Sequence, residues 1–300
     1  MSASVVPARS ADVGRVRGWF ARAWTGRNRY LTAAVCVVLC TVMLLPIVLS
    51  VLASVKTTAE AAATPPTYFP SSLSLDSYER LWDYQQGLPT YLFNSFGTAM
   101  ITIAITLALT IPAGYALARF PIPSKEILFL FLLLALIIPY QALLTPMFLM
   151  FAGLKLTNSL LGLAIVHATI QFPFSLYVMR NNFEAVPREL EEAAVMDGGG
   201  PMQILINVFL PALTPAIVTV ALFAFITSWN EFLGAIVMMS KESAYTLPVI
   251  LATARTETSL GGTDWGMLQA GVTISIIPCI VVYLLLQKYY VSGLLTGAVK

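Results

Sequence analysis

Charge is what this chain has least of. Asp, Glu, Lys and Arg make up 11% of its 300 residues, where globular chains carry about a quarter. The deficit is gathered into long uncharged runs and accompanies a mean hydropathy of +0.79, which excludes an ordinary soluble domain and points to a lipid bilayer as the solvent. A net charge of +2, with no long basic or acidic block, gives no footing for a nucleic-acid partner. Cysteines are few, and Cys36, Cys40 and Cys279 all fall inside apolar runs, so no structural disulfide is expected. Catalytic equipment is missing too. No His/Cys/Asp/Glu constellation suggests a metal site, and no nucleophile and base are paired for covalent chemistry. The glycines at 198–200 lack the Lys and the Ser or Thr that complete a phosphate-cradling loop. Nucleotide is therefore expected to bind elsewhere, and the chain to catalyse nothing itself.

What is present is six uncharged stretches, each close to the roughly 20 residues that cross about 30 Å of hydrocarbon as a helix. They run over 31–53, 91–118, 127–149, 159–179, 206–229 and 267–287. Continuous apolarity, as at 129–138, fits helices and not the alternating strands of a barrel. The expected fold is all-α, with a basic segment 1–30, a six-helix transmembrane domain 31–290 and a tail 291–300. The first run is longer than the roughly 7 to 15 apolar residues of a secretory signal, so it reads as an uncleaved anchor despite the alanines at 61–63. Pro46, Pro112, Pro139, Pro146, Pro173, Pro211, Pro215 and Pro278 fall inside the spans. They predict kinked helices whose freed carbonyls are satisfied by neighbouring helices and by Ser or Thr.

Basic residues set the expected orientation. With six spans and the amino end inside, twelve basic residues fall on cytoplasmic segments and five outside, which places both termini in the cytoplasm. Two outer segments are long. Residues 54–90 carry Thr64-Pro65-Pro66 with Tyr68, Phe69, Tyr78, Trp82 and Tyr84, a composition suited to a packed cap, and 230–266 is interrupted by Pro248 and Gly261-Gly262.

The cytoplasmic connection 180–205 breaks the charge trend. Glu184, Glu189, Glu191, Glu192 and Asp197 face only Arg180 and Arg188, and anionic headgroups would repel such a segment, so a basic protein partner is expected. Pro187 and the early glutamates favour the start of a short helix, and the glycines at 198–200 followed by Pro201 end it. Ala193 and Ala194 would let a partner approach the backbone closely, with Glu192 placed for charge-assisted hydrogen bonds.

Glu192-Ala193-Ala194, three residues, Gly198, nine residues, Val208, one residue and Leu210-Pro211 resemble the EAA loop of binding-protein-dependent ABC permeases, with Val208 in place of the usual Ile. Trp229-Asn230-Glu231-Phe232, Tyr245-Thr246-Leu247-Pro248 and the carboxyl end from Gly293 to Lys300 are similar to the sugar-uptake branch, and within it to the second subunit of the maltose permease. The resemblance implies an ABC type I importer permease in the bacterial inner membrane. It also implies a second permease subunit, two ATPase subunits that hold the ATP and Mg, and a periplasmic or lipid-anchored solute-binding protein. Glu192, Ala193, Ala194, Asp197, Gly198, Leu210 and Pro211 would then form the ATPase-coupling element, and the tail from Leu294 to Lys300 would touch the ATPase dimer. Glycerol 3-phosphate or another small solute is the alternative cargo. An ion-coupled secondary transporter is disfavoured because the six spans proper hold no acidic residue.

A substrate path needs polar groups within the spans. Asn94, Gln141, His167, Gln171, Asn230 and Glu231 are the candidates. His167 has no second ionisable group in its own span, so a hydrogen-bonded packing or pore-lining role is expected for it in preference to a proton relay.

Overall fold

A computed structural model describes residues 13–253 and 263–298, with side chains for 29–253 and 263–287. Arg9, Arg255, Gly261-Gly262 and Val299-Lys300 lie outside the described residues, as do the side chains of Arg15, Arg17, Arg22, Arg27 and Lys288, and those of the tail from Gly293. Among the described residues there is no strand, and the all-α expectation holds.

Four helices are long and apolar enough to cross a bilayer. They are α1 (Val13–Ser54), through its part Arg29–Ser54, then α2 (Leu88–Arg119), α5 (Leu160–Ala185) and α11 (Trp265–Ala298), through its part Trp265–Gln287. Each carries an internal proline and stays helical through it. α1 exposes Val37, Val42 and Met43, with no residue of its apolar window buried, which is the surface a helix facing lipid presents.

The other two expected spans are broken helices. The run 127–149 is not one helix but two, α3 (Lys125–Leu134) and α4 (Tyr140–Gly153). Pro139 offers no donor and drives the residue before it out of the helical region. Residues 135–138 answer with tight bonds to the carbonyl three residues back, and Pro139 itself is extended. The run 206–229 is likewise split, into α7 (Pro201–Ala212) and α8 (Thr214–Asn230), bent by 78° at Leu213. Within α7, Leu205–Phe209 is a π turn, and Pro211 and Pro215 each remove a helical donor beyond it. The Thr214 hydroxyl donates to the Pro211 carbonyl at 2.9 Å, replacing a bond that Pro215 cannot make.

α2 and α5 form the axis of the bundle. Asn94, Thr98, Thr102, Thr106, Thr110 and Gly114 fall every four residues along one stripe of α2 and are buried, so small side chains let the backbones close. A Cβ at Gly114 would stand 2.9 Å from Met179 Cβ and 3.1 Å from the Arg180 nitrogen. Beyond the amino end of α2, residues 55–87 fold back as a cap with two short helices, Thr58–Ala61 and Asp76–Trp82. Arg80 pairs with Asp264 at 3.1 Å, Ser54 with the Tyr78 hydroxyl at 2.8 Å, and Leu81 is buried against Tyr91 and Met267. The buried Lys56 ammonium donates to the carbonyl and hydroxyl of Thr67. The opposite end of α2 meets α6 (Arg188–Met196), so the cap and α6 lie at the two ends of one helix.

Candidate functional site

α6 is a nine-residue helix joined to α5 by only Val186 and Pro187. Both linker residues are extended, so the helix starts at Arg188, one residue later than the proline suggested. Its end has a specific geometry. Gly198 takes φ +82, its N–H bonds the Val195 carbonyl, and the Gly199 N–H bonds the Ala194 carbonyl, both at 2.9 Å. This pair of bonds is the Schellman motif, which needs a left-handed residue where Gly198 stands. A Cβ at Gly198 would meet nothing within 4 Å, so the requirement is for backbone freedom and not for space. At Gly199 space is the constraint, because a Cβ would stand 2.8 Å from the Ala194 carbonyl oxygen. The three-residue interval from Ala194 to Gly198 is therefore the spacing that turn requires.

The turn divides the coupling candidates between two faces. Glu192, Ala193 and Asp197 are exposed, whereas Ala194 packs, half-buried, on a core of Tyr115, Met179, Phe183 and Phe209. Glu189, Glu192 and Asp197 make no salt bridge among the described residues. Glu191 instead turns toward Arg119, and Glu184 pairs with Arg180 at 2.9 Å. Arg180 also binds Glu126 of α3 and stacks on Phe129, with Cζ 4.1 Å from the ring centre. A groove of about 570 Å³ runs along α6, lined by Arg119, Arg188, Glu191, Glu192, Val195 and Met196. Leu190, Val195 and Met196 are exposed beside the acids, giving an apolar and acidic surface. Leu210 is half-buried in the same core as Ala194, and Pro211 is exposed just before the bend at Leu213.

The path candidates do not converge on one point. His167 and Glu231 do meet: Nε2 of His167, in α5, stands 3.1 Å from Glu231 Oε2, just past the end of α8. Glu231 also accepts from the Tyr140 hydroxyl at 3.2 Å, the Gly234 N–H at 2.7 Å and the Ala235 N–H at 3.0 Å. Four donors fill the four lone-pair positions of an ionised carboxylate, and a carboxylate that only accepts puts the imidazole proton on Nε2. His167 Nδ1 and the Ser228 hydroxyl share a hydrogen bond at 2.8 Å, and the Thr102 oxygen lies 3.3 Å beyond Ser228. Asn94 is elsewhere, donating to the carbonyls of Ser243 and Tyr245. Gln171 accepts from Thr227 at 3.2 Å and donates to Ser175, Asn230 bonds its own helix at Ile226, and Gln141 is exposed. The six runs themselves hold no acidic residue, yet Glu231, just beyond the fifth, is only 10% exposed and lies against His167. Tyr140, Ser228, Thr102 and Arg119 belong to these sites without having been singled out by sequence. Only Thr102, on its four-residue stripe, carried a readable signal.

Apolar helices of bilayer length, packed on a stripe of small residues and bonded through buried polar groups, define a multi-pass membrane protein. Residues 110–295 match the family of binding-protein-dependent transport system inner membrane components, and the chain belongs to that family. The sulfoquinovosyl glycerol transport system permease protein SmoH of Agrobacterium fabrum is 31% identical, over 86% of this chain and 89% of its own. The trehalose transport system permease protein SugB of Mycobacterium tuberculosis is 34% identical, over 77% of this chain and 84% of its own. A solved chain from a bacterial ABC transporter involved in the import of the acidic polysaccharide alginate shares the fold. Its TM-score is 0.76 at 24% identity, with 95% of this chain and 100% of that one covered. The protein is a membrane permease of an ABC importer, a transport subunit and not itself an enzyme.

Proposed function

We propose that this chain is one of two permease subunits of an ATP-driven sugar importer and that α6 is the lever seated in an ATPase subunit. The observation that carries the reading is the turn at Gly198, which holds Glu192 and Ala193 outward on a short acidic helix while Ala194 packs inward. Such a helix is rigidly attached to the bundle, small on its outer face and complementary to a basic cleft. α1, α2, the α3–α4 pair, α5, the α7–α8 pair and α11 would make six crossings, with the lever and both termini in the cytoplasm and the cap outside, as the distribution of basic residues supports. Glu192, Ala193, Asp197 and Gly198 would form the docked surface, and Leu210 and Pro211 would carry its displacement to the bend. A solute-binding protein would deliver cargo at the cap side, and ATP with Mg would be held by the ATPase pair. Sugar as the cargo is supported by SmoH and SugB, whose names specify sugar-bearing compounds.

The test is uptake by the assembled transporter. Glu192→Lys, which reverses an exposed charge, is expected to abolish sugar uptake while the protein stays in the membrane. Uptake at the wild-type rate would refute the lever. The His167–Glu231 pair favours one competing reading, an ion-coupled carrier, because buried ionisable partners are what ion coupling uses. Transport that persists with an ATPase-dead partner would support that reading and sink the proposed one.

A further inference from the structure

Between lever and spans sits a side chain that belongs to no motif. Arg119 ends α2, and its side chain is 5% exposed. Its Nη2 donates to the carbonyls of Phe183 and Val186, at 2.5 Å each. These carbonyls close the carboxyl end of α5, where the last turn of a helix leaves its acceptors without intrahelical donors and concentrates negative potential. Nη1 stands 3.4 Å from the carboxylate of Glu191 in the first turn of α6. The guanidinium carbon lies 5.0 Å from the centre of the Phe209 ring, inside the π turn of α7. One cation therefore touches the end of α5, the start of α6 and the turn that precedes the bend, and it is itself anchored to α2.

The surroundings make this contact stiff. Tyr115, Phe183 and Phe209 pack as a trio of rings with centres 5.2 to 5.5 Å apart, and no water-exposed face is left to the guanidinium beyond the groove of α6. Apolar rings alone can slide past one another. A planar group that donates in fixed directions to two carbonyls and is paired with a carboxylate cannot, because displacement of either carbonyl leaves a buried donor unpaired. The Val186-Pro187 linker is too short to absorb a movement of α6, and one of its own carbonyls is held by Arg119.

We propose that Arg119 is a positioning residue for energy coupling, the joint through which displacement of α6 reaches α2, α5 and the α7–α8 bend together. This rests on the reading of α6 as the docked lever, so the test measures docking and transmission separately. The complete transporter is reconstituted in lipid nanodiscs with a benzophenone side chain in place of Met196, which is 87% exposed beside the docked residues. Crosslinking to the ATPase reports docking, and the ratio of receptor-stimulated to basal ATP hydrolysis reports transmission. In Arg119→Met, crosslinking is expected to persist and the ratio to fall about tenfold, the scale of losing charge-assisted hydrogen bonds from a coupling free energy. Arg119→Lys, with the charge but not the fork, is expected to recover part of the ratio, a graded rescue that loss of packing volume alone would not give. An unchanged ratio in Arg119→Met with crosslinking intact overturns the joint and leaves the lever standing. Absence of the crosslink in the otherwise unaltered chain overturns the lever and the joint with it. Should Arg119→Met fail to assemble, Glu191→Gln breaks only the bridge to α6. A smaller fall in the ratio is then expected, and a wild-type ratio overturns the proposal.

Discussion

His167 and Glu231 meet at 3.1 Å although 64 residues separate them, and the carboxylate between them and Tyr140 ties α4, α5, α8 and α9 (Leu233–Met238) at one point. Gly234 makes the arrangement possible, because a Cβ there would collide with the Tyr140 hydroxyl. The cluster is held by complete satisfaction: every lone pair of the carboxylate has its donor.

Glu231→Gln breaks that balance, since the amide nitrogen can only donate and would face an N–H. The expected cost is about 1–3 kcal/mol, the penalty of one buried unsatisfied group, read as a lower apparent melting temperature of the purified protein. Gln141→Ala, at the exposed side chain immediately after Tyr140, is expected to stay within about 0.5 kcal/mol of wild type. Equal melting of the two variants would show that the cluster is not a structural hub.

At Gly198 the strain is conformational and the space is open, so substitutions should rank by their tolerance of positive φ. Alanine is expected to cost roughly 1–2 kcal/mol in the local turn, asparagine less and valine more. Sugar uptake should fall in the order Gly, Asn, Ala, Val. A series ordered by side-chain volume alone would contradict the left-handed requirement.

Gly114 is the reverse case, limited by space. Gly114→Val is expected to destabilise the α2–α5 crossing by about 1–3 kcal/mol through overpacking. Met179→Ala cannot rescue it, because the obstructing atoms are the Met179 Cβ and the Arg180 nitrogen, which alanine leaves in place. Rescue of thermal stability in the double variant would show that the crossing is looser than the geometry indicates.

The 78° bend at Leu213 tests the prolines. Replacing Pro211 and Pro215 together by alanine restores two helical donors, and spin labels at positions 203 and 226 are expected to move apart toward the about 1.5 Å per residue of a straight helix. An unchanged distance would mean that tertiary packing, and not the missing donors, sets the angle.

These cases mark what was legible in the residues. The Gly198 turn stands in the sequence because a Schellman end involves only six consecutive residues, so its chemistry is local. The four-residue row from Asn94 to Gly114 is equally visible as spacing, and it marks the buried face of α2. The breaks within 127–149 and 206–229 were not legible. Pro46, Pro112, Pro173 and Pro278 sit in runs of the same composition and leave their helices whole. Whether a proline breaks a helix depends on what satisfies the freed carbonyls, and that partner comes from packing.

By itself, the sequence determined the solvent, the helical class, the places where apolar runs begin and end, and the short acidic helix with its glycine stop. Each of these depends on transfer free energies or backbone preferences summed over neighbouring residues. Tertiary structure alone decided that Arg119 would close the end of α5 and reach Glu191, that Ala194 would face inward while Ala193 faces out, and that Glu231 would lie beside His167. Those outcomes require the rotation and depth of one helix relative to another, which follow from how side chains of many segments pack at once.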